Sequence, residues 1–137
     1  MKGKLYFLFI ILFLNLILNK NIVYALTQEE RELIAKVVKA EAMTECEEGR
    51  RLVIDTILNR VESESFPNSV EKVIFQLNQY AVPSKEVDDD ILLLVMEEES
   101  SRLNDEVIFF RTKKYPSYGE PLFQVERHYF SKEKKGE

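Results

Sequence analysis

"LIAKVVKAEAMTECEEGRRLVIDTILNRV", residues 33–61, is the stretch whose reading decides the fold. Leu33, Ile34, Val37 and Val38 repeat at helical spacing through about Ala42. Val53, Ile54, Ile57, Leu58 and Val61 take up the same period a few residues later. Thr27 followed by Glu30 reads as a capping box for the first helix, and Thr44 with Glu47 as the start of the second. Two helices joined by so short a link are expected to pack as an antiparallel or steeply crossed pair, with Gly49 admitting close backbone approach.

The first stripe ends on a carboxylate where the pattern asks for another valine. On a helical wheel Glu41 lies about 20° from Ile34, about 40° from Val37 and about 60° from Val38, so it shares their face. A carboxyl group withdrawn from water favours its proton-bearing form, which a general acid requires. Periodicity alone allows a second reading, in which Glu41 turns to solvent at the helix end or pairs with Arg50, Arg51 or Arg60.

Working outward, "SESFPNSVEKVIFQLNQYAVPS" starts a short helix near Pro67 and Asn68, running to about Phe75, and Pro83 closes the segment. "KEVDDDILLLVMEEESSRLND" is a helix of about four turns, with Asp88, Asp89 and Asp90 at its positive N-terminus. The pattern then changes to two β-branched and aromatic runs, "EVIFFRT" and "QVERHYFS", separated by the loop "KKYPSYGEPL". The expected architecture is α+β: helices first, a small antiparallel β-hairpin last.

Upstream, "MKGKLYFLFIILFLNLILNKNIVYA" places Lys2 and Lys4 before an apolar run of 14 residues, Leu5 to Leu18. That is a signal-peptide layout, too short to span a bilayer, with cleavage expected after Ala25. Residues 1–25 are thus expected to be a leader and 26–137 one domain, exported to the cell wall or spore envelope. Membrane contact is expected only through that leader, and a monomer is the expected working form.

Composition excludes several chemistries. The 19 basic and 24 acidic residues include Lys2, Lys4 and Lys20 of the leader, so the mature domain keeps 16 basic against 24 acidic side chains and is a poor partner for nucleic acid. Cys46 and His128 are each the only one of their kind, which leaves no disulfide and no ordinary zinc ligand set. Neither a metal nor another cofactor is expected. A thiol–imidazole pair, Cys46 with His128, could cut peptide stems, but Glu45, Glu47 and Glu48 oppose formation of the thiolate.

"AEA" at 40–42, "ILNRV" at 57–61 and "FPNSV" at 66–70, in this order and spacing, resemble the SleB/CwlJ-type cell-wall hydrolases, the spore-cortex-lytic enzymes. The resemblance runs over about 45 residues from Val37 to Val82, and "VIFFRT" and "RHYFS" resemble the family's closing segments. It implies a lysozyme-like domain that cuts peptidoglycan glycan strands between N-acetylmuramic acid and N-acetylglucosamine, with Glu41 as the catalytic acid. The implied activity is that of a lytic transglycosylase, with the spore cortex as one possible substrate. It also carries over Asn59, Arg60, Gln79 and Tyr80 as recurrent positions, in the cleft or in its scaffold.

Tyr80, Tyr115 and Tyr118, in loops, are candidates to stack on sugar faces or to cover the core edge. Asp55, Glu45, Glu47 and Glu48 are the nearby carboxylates that could serve a true hydrolase as a second group. Where the family has "RGEPYEGQ" this chain has "MTECEEGR", which adds acidic charge beside the catalytic position and opposes an anionic wall. An inactive, exported wall-binding module is the non-enzymatic alternative.

Overall fold

The computed structural model describes residues 25–136. The expected leader therefore lies outside the described residues, apart from Ala25. Four helices precede three strands: α1 (Gln28–Ala42), α2 (Glu47–Glu62), α3 (Val70–Ile74), α4 (Asp89–Ser100), β1 (Phe109–Thr112), β2 (Gly119–Val125) and β3 (His128–Glu133).

Helix α1 begins where its capping box predicts. Thr27 accepts from the Glu30 N–H at 3.2 Å, and Glu30 accepts from the Thr27 N–H at 2.9 Å. The stripe Ile34, Ala35, Val37, Val38 and Ala42 is buried as expected. Helix α2 differs at its start, because Cys46 rather than Thr44 is the N-cap. The Thr44 hydroxyl instead accepts from Arg127 Nη2 at 3.0 Å, so a contact distant in sequence overrides the local capping pattern. Gly49 makes room for Glu45 and Val125, whose side chains a Cβ there would meet at 3.1 and 3.8 Å, rather than for the neighbouring helix.

From Leu52 to Arg60 every residue of α2 is buried, so this helix is the axis of the domain, with α1, α3, α4 and β1 packed around it. A helix buried all round must satisfy its polar residues internally. Asn59 Nδ2 donates to the carbonyls of Val107 at 2.8 Å and Asn104 at 3.1 Å, and its Oδ1 accepts from Arg102 at 2.9 Å. Asp55 Oδ2 accepts from the Asn104 N–H at 2.8 Å. Together they moor the chain between α4 and β1.

The α+β class matches the expectation, with one addition. The expected pairing of "VIFFRT" with "HYFS" is present as β1 against β3, antiparallel, with Phe110 opposite Phe130. The run "QVERHYFS", expected as one strand, instead turns at Glu126 and Arg127: Gln124 and Val125 end β2, which begins at Gly119 inside the stretch read as a loop, so the hairpin is β2 with β3 in a three-stranded sheet of order β1-β3-β2. Pro121 hid this strand, and an edge strand is where proline is tolerated. Phe130, on the central strand, is fully buried in the core.

One buried acid group makes a measurable signature. Withdrawal from water, reinforced by the neighbouring buried carboxyl of Glu98, pushes the Asp55 carboxyl up from 3.8 to about 8. Between those values the folded protein holds a proton that the unfolded chain releases, so stability is complete below about 4 and declines as pH rises through about 8. Urea unfolding across this range should lose on the order of a few kcal/mol from this group. Asp55→Asn, which keeps the hydrogen bond and cannot ionise, should flatten that slope, and an unchanged slope would contradict the assignment.

Candidate active site

A groove of about 500 Å³ opens between the helical part and the sheet, lined by Glu41, Arg60, Asn78, Gln79, Phe110 to Lys113, Tyr118 and His128. Glu41 sits in the last turn of α1, half-buried, where the apolar stripe runs out into the groove. Its Oε1 accepts a hydrogen bond from the Ala81 N–H. The loop carrying Ala81 is in turn held to α1 by the Ser84 N–H donating to the Lys36 carbonyl at 3.0 Å.

The salt-bridge reading of Glu41 fails on each partner. Arg50 donates to the carbonyls of Ala42 and Met43, and Arg51 pairs with Glu47, Glu97 and Glu98. Arg60 is committed elsewhere. Glu41 makes no ion pair among the described residues.

Arg60 is 4% exposed and joins three segments. Its Nε donates to the Ile108 carbonyl at 2.7 Å, just ahead of β1, and its Nη1 to Gln79 Oε1 at 3.1 Å. The guanidinium lies 4.9 Å from the Phe66 ring centroid, 5.1 Å from that of Tyr80 and 5.7 Å from that of Phe109. Gln79 lines the groove and takes this hydrogen bond.

The other expected site residues separate. Asn59 is buried and lies off the groove, its amide used by the 104–107 segment. Tyr80 packs beside Arg60 and Phe110 rather than lining the groove, and burial raises its hydroxyl's pKa above the usual tyrosine value. Tyr118 is 56% exposed and lines the groove, edge-on to Phe109 at 5.0 Å. Tyr115 packs edge-on against Tyr129 at 5.1 Å, outside the groove lining.

Glu41 is the single carboxylate in the groove lining among the described residues. Of the expected second carboxylates, Asp55 is buried against Glu98, Glu47 pairs with Arg51, and Glu48 is exposed. Glu45 is buried and bound to Arg127 at 2.5 Å. Burial pushes its pKa up, but the hydrogen bonds from Arg127 outweigh this and hold it below the usual value. No cluster of His, Cys, Asp and Glu among the described residues could hold a metal ion.

From the sequence alone, His128 has a role only as a partner for Cys46. Cys46 is exposed and off the groove, whereas His128 lines it, 2% exposed, with Nδ1 buried and unbonded. Burial lowers the pKa of its imidazole, with Glu45 and Glu41 pulling the other way and Arg127 adding to the fall. The period-two pairing of His128 with Phe130 on one face was the sequence signal for this inward position.

A profile of the family described as Cell Wall Hydrolase matches residues 44–131. The chain belongs to this family. Its activity is therefore degradation of the cell wall's peptidoglycan. The matched stretch begins three residues beyond Glu41. The fold is similar to that of the catalytic domain of the Bacillus cereus SleB protein, with a TM-score of 0.74 and 22% identity over 83% of this chain and 98% of that one. It is likewise similar to the catalytic domain of the germination-specific lytic transglycosylase SleB from Bacillus anthracis. There the TM-score is 0.71 and the identity 21%, over 80% of this chain and 98% of that one. No curated protein matches the sequence. The likeness places this chain in the lysozyme-like fold.

The Arg60 geometry makes a prediction. Arg60→Lys retains the charge but loses the planar fork that serves Ile108 and Gln79 together, and should cost about 1–3 kcal/mol of stability. Wall cleavage should fall with it, read as the rate of turbidity loss of a peptidoglycan suspension. Wild-type stability and activity in this variant would contradict the bracing role.

Proposed function

We propose that the protein is a lytic transglycosylase in which Glu41 serves first as general acid and then as general base. The observation that carries this reading is the solitary carboxylate of the groove. A retaining glycosidase needs a second carboxyl group about 5–5.5 Å from the first, and an inverting one about 6.5–9.5 Å. The groove lining offers no such partner among the described residues.

With Oε1 anchored on the Ala81 N–H, Oε2 is left to carry the proton. It protonates the glycosidic oxygen as the bond from muramyl C1 to the N-acetylglucosamine breaks. The muramyl C6 hydroxyl then closes onto C1 and gives its proton to the carboxylate, which restores the acid. The product is a 1,6-anhydromuramyl end, no water is consumed, and one side chain suffices.

The substrate is the glycan strand of peptidoglycan, in the vegetative wall or the spore cortex. The layout of residues 1–25 supports export to that compartment. Exposed Cys46, off the groove, gives no support to a thiol mechanism.

Purified peptidoglycan digested with the protein should yield muropeptides whose masses are lower by one water than those of the hydrolysed products. Glu41→Gln should lower the cleavage rate by about a hundredfold or more and leave the melting temperature close to that of the wild type. Hydrolysed reducing ends would replace this mechanism by glycoside hydrolysis, and an active Glu41→Gln variant would remove Glu41 from it.

A further inference from the structure

The groove differs in charge from the rest of the molecule. The chain carries a net charge of −5, yet the groove lining sets Arg60, Arg111 and Lys113 against Glu41 alone. Arg60 is spent on Ile108 and Gln79. The other two cations are exposed at the end of β1 and just beyond it.

Arg111 stands out among the seven arginines, all of which are described. Arg31, Arg51, Arg102 and Arg127 pair with carboxylates, and Arg50 and Arg60 donate to backbone carbonyls. The Arg111 side chain has no hydrogen bond or ion pair among the described residues, and Lys113 has no ion pair there. What sets these two cations apart is their place on the wall of the groove, where their field would attract an anion from outside.

The backbone supports the same reading. Asn78, Lys113 and Glu126 are the non-glycine residues with positive φ among the described residues, and the first two both line the groove, at 59° and 76°. Asparagine enters the left-handed region readily, but a lysine there is costly, and such strain is concentrated at binding sites. At Lys113 it ends β1 and sets the lysine on the groove rim.

Peptidoglycan carries a suitable anion wherever its muramic acid is neither cyclised to a lactam nor fully amidated. The lactyl group of muramic acid ends in a carboxylate, or in an amide to a stem peptide that bears carboxylates of its own. We infer that Arg111 and Lys113 form an anion subsite for a muramyl carboxylate, and that they select acidic strands over neutral ones. This inference rests on the wall-cleaving reading, so its test is a binding measurement, which can fail separately from catalysis.

Full-length protein carrying Glu41→Gln is sedimented with insoluble peptidoglycan, native or with its carboxyls amidated by carbodiimide and glycinamide. Adding Arg111→Gln and Lys113→Gln should weaken binding to native wall by about fivefold or more, and the deficit should vanish on amidated wall. Lys72→Gln with Lys85→Gln removes the same charge outside the groove lining and should bind like its parent.

A deficit that persists on strands stripped of stems by an amidase assigns the lactyl carboxylate. One confined to stem-bearing wall assigns the stem. Parent-like binding of the Arg111/Lys113 variant, or an equal loss in the Lys72/Lys85 control, overturns the subsite. If wild-type protein cleaves wall while the binding deficit is absent, the subsite alone falls. A binding deficit without cleavage by the wild type defeats the lytic reading alone.

Discussion

A guanidinium buried in the last turn of α2 is the constraint on which the rest depends. Arg60 cannot be left unsatisfied in the interior, since removing a charge from water is costly unless donors and rings replace the solvent. Its partners come from three separate segments: the Ile108 carbonyl ahead of β1, the Gln79 amide after α3, and the rings of Phe66, Tyr80 and Phe109. Satisfying this one side chain sets the first strand and the 75–88 loop at fixed places beside α2. Glu41 then finds Ala81, midway along that loop, in hydrogen-bonding reach. The neighbouring Asn59 does the same for the 104–107 segment, off the groove, so two adjacent residues of α2 hold the irregular backbone both before β1 and after α3.

The groove reconciles two opposed requirements. Net negative charge favours solubility but repels an acidic polymer. Elsewhere the ion pairs are used up within the protein: Glu45 with Arg127 closes the turn after β2 onto the corner between α1 and α2, and Arg51 gathers Glu47, Glu97 and Glu98. The acidic stretch after Glu41, which the sequence suggests would oppose wall binding, is thus largely neutralised or turned away from the cleft. One carboxyl group, one buried imidazole and two unpaired cations remain facing the groove.

Much of this was legible in the residues themselves. The helices followed from the apolar period and from local caps such as Thr27 with Glu30 and Asp88, because both signals act within one or two turns. What failed depended on distant contacts. Thr44 has the spacing of a cap but is drawn to Arg127, 83 positions away, and β2 carries Pro121 and a glycine start that only its pairing with β3 explains. Glu41 was singled out by its angle on α1. The sequence does not single out Arg111 and Lys113, since nothing local distinguishes an unpaired arginine from a paired one. His128 was noticed for being solitary, and the sheet shows its place to be the groove, away from the thiol.

The most direct test of the account is a crystal structure of the Glu41→Gln protein with a glycan oligomer of alternating N-acetylglucosamine and N-acetylmuramic acid. The account predicts a muramyl residue in the groove, with its glycosidic oxygen within hydrogen-bonding distance of the residue-41 amide and the strand lying along β1. An oligomer bound elsewhere, or one seated in the groove with residue 41 out of reach of every glycosidic oxygen, would contradict it.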